Sequence, residues 1–368
     1  MGPLFEYIYW RGDLSFDLDP LNEIDALIFS EFSYIDYNIL AEDKLNKGLL
    51  TIAEAAGLLK EADREHFMPS GYLHHEDAYD LIKEAGSSKR FKDVVIANDL
   101  KSFSIEKVFQ FGSTAFHLNG KPFFIAFEGT GLRNLGWKED LQMTYLPEIP
   151  SQKKALIYLK EHFEKYPYNV SIGGHSKGGN IAVYAAIFLE EKQPFIDKIY
   201  SFDSPGFPKE MLKEEGYMKI KDKIEAYIPQ DSVVGLLLHK LEEHKIVSSH
   251  ATELLQHDVF SWEIKGNRFV REELTDAALK IQELIRDLMD NFSLEERETF
   301  SEALFNILGD GEEDYFKGDR QYILERIPTV IKEFRELSAE GRSILTKVVG
   351  LFYRKRIELK IEKTFDKL

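Results

Sequence analysis

A serine hydroxyl becomes a useful nucleophile when a sharp turn presents it to an imidazole and a carboxylate stands behind that imidazole. The run Val170-Ser171-Ile172-Gly173-Gly174-His175-Ser176-Lys177-Gly178-Gly179-Asn180 meets the first condition. Ser176 lies between Gly174 and Gly178, and an apolar run from Ile181 to Leu189 follows. This order predicts a strand over Tyr168 to Ile172, an abrupt turn at the serine and a buried helix after it. Glycines flank the turn because bulkier residues there would strike adjacent strands. A phosphate-binding turn at a helix N-terminus is the competing reading. It is weaker, since neither G-x-x-x-x-G-K-[ST] nor G-x-G-x-x-G spacing is present.

The base and its orienting acid should follow the serine in the order Ser, Asp or Glu, His. His239, His244, His250 and His257 come after Ser176. His257 is favoured, because Gln256-His257-Asp258-Val259-Phe260-Ser261-Trp262 hands a loop over to an aromatic-rich segment; His250 is the alternative. His239 and His244 read as a solvated helix face, and His175 as a packed residue of the turn. Asp231, in the loop after a strand from Ile224 to Ile228, is the favoured acid. Asp203, one strand earlier, competes with it or caps the Ser204-Pro205-Gly206-Phe207 turn. An oxyanion needs two N–H donors, expected from Lys177 and from Thr130 in Phe127-Glu128-Gly129-Thr130-Gly131. No H-E-x-x-H spacing occurs among these histidines, so neither a metal nor a cofactor is expected.

These residues need a sheet to carry them. Strand signals run over Val94 to Asn98, Ser113 to Leu118, Pro122 to Phe127, Lys198 to Phe202 and Ile224 to Ile228, and Asn119-Gly120 marks a hairpin. Helical spacing appears over Asn22 to Tyr34, Ile52 to Ala62, Ala78 to Ala85 and Ser151 to Tyr166. Strands alternating with helices predict an α/β fold with a mostly parallel central sheet covered on both faces. We expect residues 1–271 to form the catalytic domain, with 1–90 mainly helical, and 272–368 a helical extension. The extension holds Asp276 to Phe292, a capping box at Ser293-Leu294-Glu295-Glu296, and Ser343 to Leu359. Its helices are expected to pack on the core, with a partner or homo-oligomer surface as the alternative. Arg354-Lys355-Arg356 reads as a solvated basic face.

Composition narrows the function. The net charge of −17 argues against broad nucleic-acid binding. No stretch approaches the roughly twenty apolar residues of a transmembrane helix. Without cysteine there is no disulfide framework and no thiol nucleophile. The N-terminus shows no basic-then-apolar secretory pattern. Together these features favour a cytoplasmic location.

Phe127-Glu128-Gly129-Thr130, Trp137-Lys138-Glu139-Asp140, Gly174-His175-Ser176-Lys177-Gly178-Gly179-Asn180 and Gln230-Asp231-Ser232-Val233 resemble the ordered blocks of class 3 lipases. With Tyr7-Ile8-Tyr9-Trp10-Arg11-Gly12-Asp13-Leu14-Ser15-Phe16 and Gln256 to Trp262, the chain more closely resembles the Mbeg1-like, DUF2974 family of bacterial proteins. The resemblance runs to about residue 270. It implies an α/β-hydrolase fold, Ser176 as nucleophile, Asp231 and His257 as partners, and Thr130 with Lys177 at the oxyanion hole. It also implies a serine esterase acting on a lipid-like or small acyl substrate. Thioester or amide hydrolysis, and a scaffold role through the C-terminal helices, are the alternatives. Glu128 and Lys177 stand where class 3 lipases carry Arg and Leu. Lys177 would put a cation beside the nucleophile, suited to an anionic substrate or to an ion pair with Glu128.

Overall fold

Asn119 and Gly120 both take positive φ, 52° and 75°, the backbone of a two-residue hairpin turn matched to strand twist. The computed structural model describes residues 2–61, 75–131, 134–308 and 332–350. In it this turn joins β2 (Phe109–Leu118) to β3 (Lys121–Phe127), and β1 (Val95–Ser104) pairs antiparallel with β2. Then β4 (Val170–His175), β5 (Ile196–Phe202), β6 (Ile224–Pro229) and β7 (His244–Val247) add in sequence order, each parallel to the strand before it. The product is a mostly parallel seven-stranded sheet with an antiparallel edge.

The pleat of β3 shows how the sheet is covered. Phe124 and Ala126 enter one apolar cluster, Ile125 and Phe127 the other, as period-two alternation requires. The first cluster is closed by α1 (Pro3–Arg11), α2 (Glu23–Phe32), α3 (Tyr37–Asn46), α4 (Ile52–Glu61) and α5 (His75–Ala85). The second is closed by α7 (Pro150–Lys165), α8 (Lys177–Ile187) and α9 (Glu215–Ile220), while α6 (Asn134–Gln142) lies between β3 and α7 in sequence. Helices α1 to α5 therefore form much of one of the two layers that bury the sheet.

Helix α2 is buried on all sides from Ile24 to Phe32, which brings Asp25 and Glu31 inside with it. Asp25 is answered by Arg90, whose Nε and Nη2 donate to its two oxygens at 2.8 and 2.6 Å. Tyr7 donates to the same carboxylate at 2.9 Å, and the Arg90 guanidinium lies 4.0 Å from the centroid of the Phe16 ring. A paired, multiply hydrogen-bonded charge is tolerated in the core, and removing one partner is costly.

One expectation needs correction. His239 forms an isolated bridge with Phe207 and His244 opens β7, so neither lies on a solvated helix. The cause is local: Leu238 takes φ 62°, which breaks any helix there, and Ala226 and Tyr227 of β6 pair with His244 and Lys245. A four-residue edge strand flanked by charged residues offers little alternation to read. At the C-terminus, α10 (Asp276–Asn291) and α11 (Leu294–Leu308) match the helical pattern. Arg297 of α11 donates to the Thr144 carbonyl at 2.7 Å, tying the helix to the segment after α6. Residues 351–359 of the expected last helix, and Arg354-Lys355-Arg356, lie outside the described residues.

Candidate active site

Strand β4 ends at His175, and Ser176 then takes φ 55° and ψ −129° before α8 begins. Such a backbone is strained for a residue with a side chain and needs surroundings that enforce it. The Ser176 N–H donates to the Phe202 carbonyl at 2.8 Å. A Cβ on Gly174 would stand 2.5 Å from the Phe127 carbonyl oxygen, and one on Gly178 only 2.1 Å from it. The turn thus closes against the end of β3 in a space that only glycine fits. Ser176 itself remains 8% exposed.

His257 Nε2 lies 3.1 Å from Ser176 Oγ, and His257 Nδ1 lies 2.6 Å from Asp203 Oδ2. A carboxylate only accepts, so Nδ1 carries the hydrogen and Nε2 of the neutral ring faces the serine as an acceptor. Asp203 is buried, and its other oxygen accepts from Ser232 Oγ at 2.5 Å and from the Gly235 N–H at 3.0 Å. The carboxylate behind His257 is therefore Asp203 rather than Asp231.

Strand order explains the difference. β5 is the immediate neighbour of β4, so Asp203, following Phe202, stands at the next strand end to Ser176. It extends its ladder with an N–H bond to the Tyr227 carbonyl at 2.7 Å and, like the serine, turns at positive φ, here 42°. Asp231 follows β6, one strand further away. Its carboxylate accepts from Gln256 Nε2 at 3.0 Å and from the Thr275 hydroxyl, while its N–H donates to Gln256 Oε1 at 2.9 Å. It thus braces the residue before His257. His250 is exposed, with its backbone N–H bonded to the Ser261 carbonyl at 3.1 Å.

Lys177 supplies the first N–H of α8, one of the donors that a helix leaves without an intrahelical acceptor. Gly129 packs under the nucleophile, since a Cβ there would be 3.3 Å from Ser176 Cβ. Thr130 follows it, with its hydroxyl donating to both oxygens of Asp140 at 2.9 and 2.7 Å. Burial raises the Asp140 carboxyl to about 6, opposed by Lys177 and the Thr130 bond. The Lys177 side chain departs from expectation: its ammonium is fully buried, donating to Glu139 Oε2 and to the Gln110 carbonyl, both at 2.9 Å. Burial pulls its pKa down, but Glu139 and Asp140 outweigh that and raise it. Glu128 pairs instead with Lys101 at 2.6 Å. Lys177 is therefore a structural cation joining α8 to α6 and β2, and offers substrate no exposed charge.

A family model described as Mbeg1-like matches residues 85–306, more than half of the chain. The chain belongs to the Mbeg1-like family. A search of curated proteins found no match. Among solved structures, the chain is similar to the native Rhizomucor miehei lipase propeptide complex at 15% identity and a TM-score of 0.32. That similarity covers 42% of this chain and 57% of the other, so it spans little more than half of that protein's length.

The Mbeg1-like region contains Thr130, Ser176, Lys177, Asp203, Asp231 and His257. Of the residues expected from sequence, the structure brings His257 to Ser176, sets Thr130 on the segment under the nucleophile, and engages the Asp231 carboxylate with Gln256 and Thr275. Asp203, which contacts His257, carries one signal in the sequence, its place directly after the strand that follows the serine turn. Among the described residues, no group of three or more His, Asp or Glu is arranged to hold a metal ion, and no helix is long and apolar enough to cross a membrane.

Proposed function

We propose that this protein is a serine hydrolase of the α/β-hydrolase type, cleaving a carboxylic ester of a lipid-like or small acyl substrate through an acyl-enzyme on Ser176. The observation that carries the reading is the continuous contact from Ser176 Oγ through both ring nitrogens of His257 to buried Asp203. His257 Nε2 accepts the hydroxyl proton as Oγ bonds to the ester carbonyl carbon, and Asp203 holds the imidazolium that forms. The oxyanion is met by the N–H groups of Lys177 and Thr130, each such donor being typically worth about 3–4 kcal/mol of barrier. Collapse expels the alcohol, which takes the proton from Nε2. Water then repeats the sequence on the acyl-enzyme, releasing the acid and restoring the serine. Asp203 replaces Asp231 in this assignment, and Asp231 supports the loop that carries the base.

The test is hydrolysis of short- and medium-chain nitrophenyl esters by the purified protein, with thioester and amide analogues beside them. Wild-type turnover that disappears in Ser176→Ala, with folding intact, is the expected result. Equal turnover by the two proteins would remove the basis of the proposal.

A further inference from the structure

We infer that His175 and Tyr34 are positioning residues that hold His257 in register with Ser176, an inference that rests on the hydrolase reading. His175 directly precedes the nucleophile, yet its ring is 2% exposed and engages the base instead of solvent. Its Nε2 lies 3.0 Å from the His257 carbonyl oxygen, and because a carbonyl accepts, Nε2–H is the donor. The two imidazoles also pack with centroids 4.5 Å apart. His175 thus ties down the backbone of the base while Asp203 ties down its ring.

Tyr34 secures the other side of His175. Its hydroxyl lies 3.3 Å from His175 Nδ1. The same hydroxyl fills the space over Gly129, where an added Cβ would stand 2.2 Å from it and 2.7 Å from the His175 carbonyl oxygen. One buried phenol therefore touches the residue before the nucleophile and the segment leading to Thr130. Glu31 completes the cluster, with Oε1 3.8 Å from His175 Nδ1. Its carboxyl is pushed well above the usual range by burial, with Asp258 and Asp77 adding to the shift. Tyr34 and Glu31 both come from the N-terminal layer, before the region matched by the family model.

His257 ends a short 3₁₀ turn, Glu253–His257, so its position depends on this tether together with the Asp231 brace on Gln256. A misplacement of about 1 Å at a reacting group can cost about a hundredfold in rate. Among the substitutions that test this, His175→Leu removes the donor. His175→Gln can return an N–H to the place of Nε2, and Tyr34→Phe removes only the hydroxyl. The readouts are kcat and KM on a nitrophenyl ester and the rate of fluorophosphonate labelling, with thermal melts alongside.

We expect His175→Leu to lower kcat and the labelling rate by about tenfold or more with KM nearly unchanged. His175→Gln should recover most of the loss, and Tyr34→Phe should fall between. A glutamine variant as slow as the leucine variant would reduce His175 to ring packing and overturn the inference. So would a leucine variant at the wild-type rate. If the leucine variant fails to fold, a wild-type rate in Tyr34→Phe overturns it instead. A wild-type protein that neither turns over ester nor takes label would defeat the hydrolase reading itself, a result distinct from any of these.

Discussion

At the scale of single residues, the site turns on which carboxylate faces His257. Asp203 is buried, contacts Nδ1 at 2.6 Å and is itself held by Ser232 and Gly235. Neutralising it should leave the fold largely intact and disorient the base. Asp203→Asn is expected to lower kcat by roughly ten-thousand-fold, the loss seen when such an orienting carboxylate is neutralised elsewhere. Asp231→Asn, which loosens the Gln256 brace and the Thr275 contact, should cost less than about tenfold. Steady-state kinetics of both variants on one ester check the ranking, and the reverse order would return the role to Asp231. That Ser176 and His257 meet was legible because a turn between glycines and a loop histidine carry local signals. Which carboxylate contacts His257 was not, because Asp203 and Asp231 both follow a strand, and only strand adjacency separates them. Lys177 was misread for a related reason, since its partner Glu139 is 38 positions away and the pairing depends on how α6 docks.

At the scale of elements, local chemistry announced most of the sheet. The Asn119-Gly120 turn and the apolar runs of β3, β5 and β6 stand in the structure close to where their patterns place them. β1 and β2 extend further than expected, because their outer portions are partly exposed and mix polar with apolar residues. β7 escaped notice for want of alternation.

Helix α7 and strand β2 carry a testable liability, because His162 and His117 lie buried with ring centroids 6.4 Å apart. Burial, then His117 and Lys165, lower the His162 pKa to about 4, against about 6.5 for an unperturbed histidine. A folded-state pKa below the unfolded value means that the unfolded chain takes the proton first. The stability held above about pH 6.5 is therefore lost as pH falls toward 4. His244, lowered mainly by burial to about 3, acts in the same direction. Replacing His162 with Phe should flatten this part of the profile. Urea midpoints of wild type and His162→Phe at pH 7 and pH 4.5 check it, and an equal drop in both proteins would contradict the assignment.

At the scale of the molecule, the N-terminal helices are structural partners of the sheet. They close the face carrying Phe124, Ala126, Tyr200 and Phe202, and Arg90 locks onto Asp25 beneath them. A chain beginning at residue 85, where the family match starts, would expose much of that face, leaving Phe202 covered by Trp262 and Phe269. We expect it to be recovered only as aggregate, without a cooperative melt, whereas the full chain melts cooperatively. A soluble, cooperatively folding 85–306 fragment would contradict this view of the layer. The sequence marked these helices as amphipathic or apolar but held no local sign that Tyr34 and Glu31 reach the nucleophile turn.

If Ser176 is an activated nucleophile, intact-mass spectrometry after treatment with a fluorophosphonate will show one adduct per chain, mapped by peptide analysis to Ser176 and absent from Ser176→Ala. A folded protein that takes no adduct, or takes it at another residue with Ser176 unmodified, would contradict it.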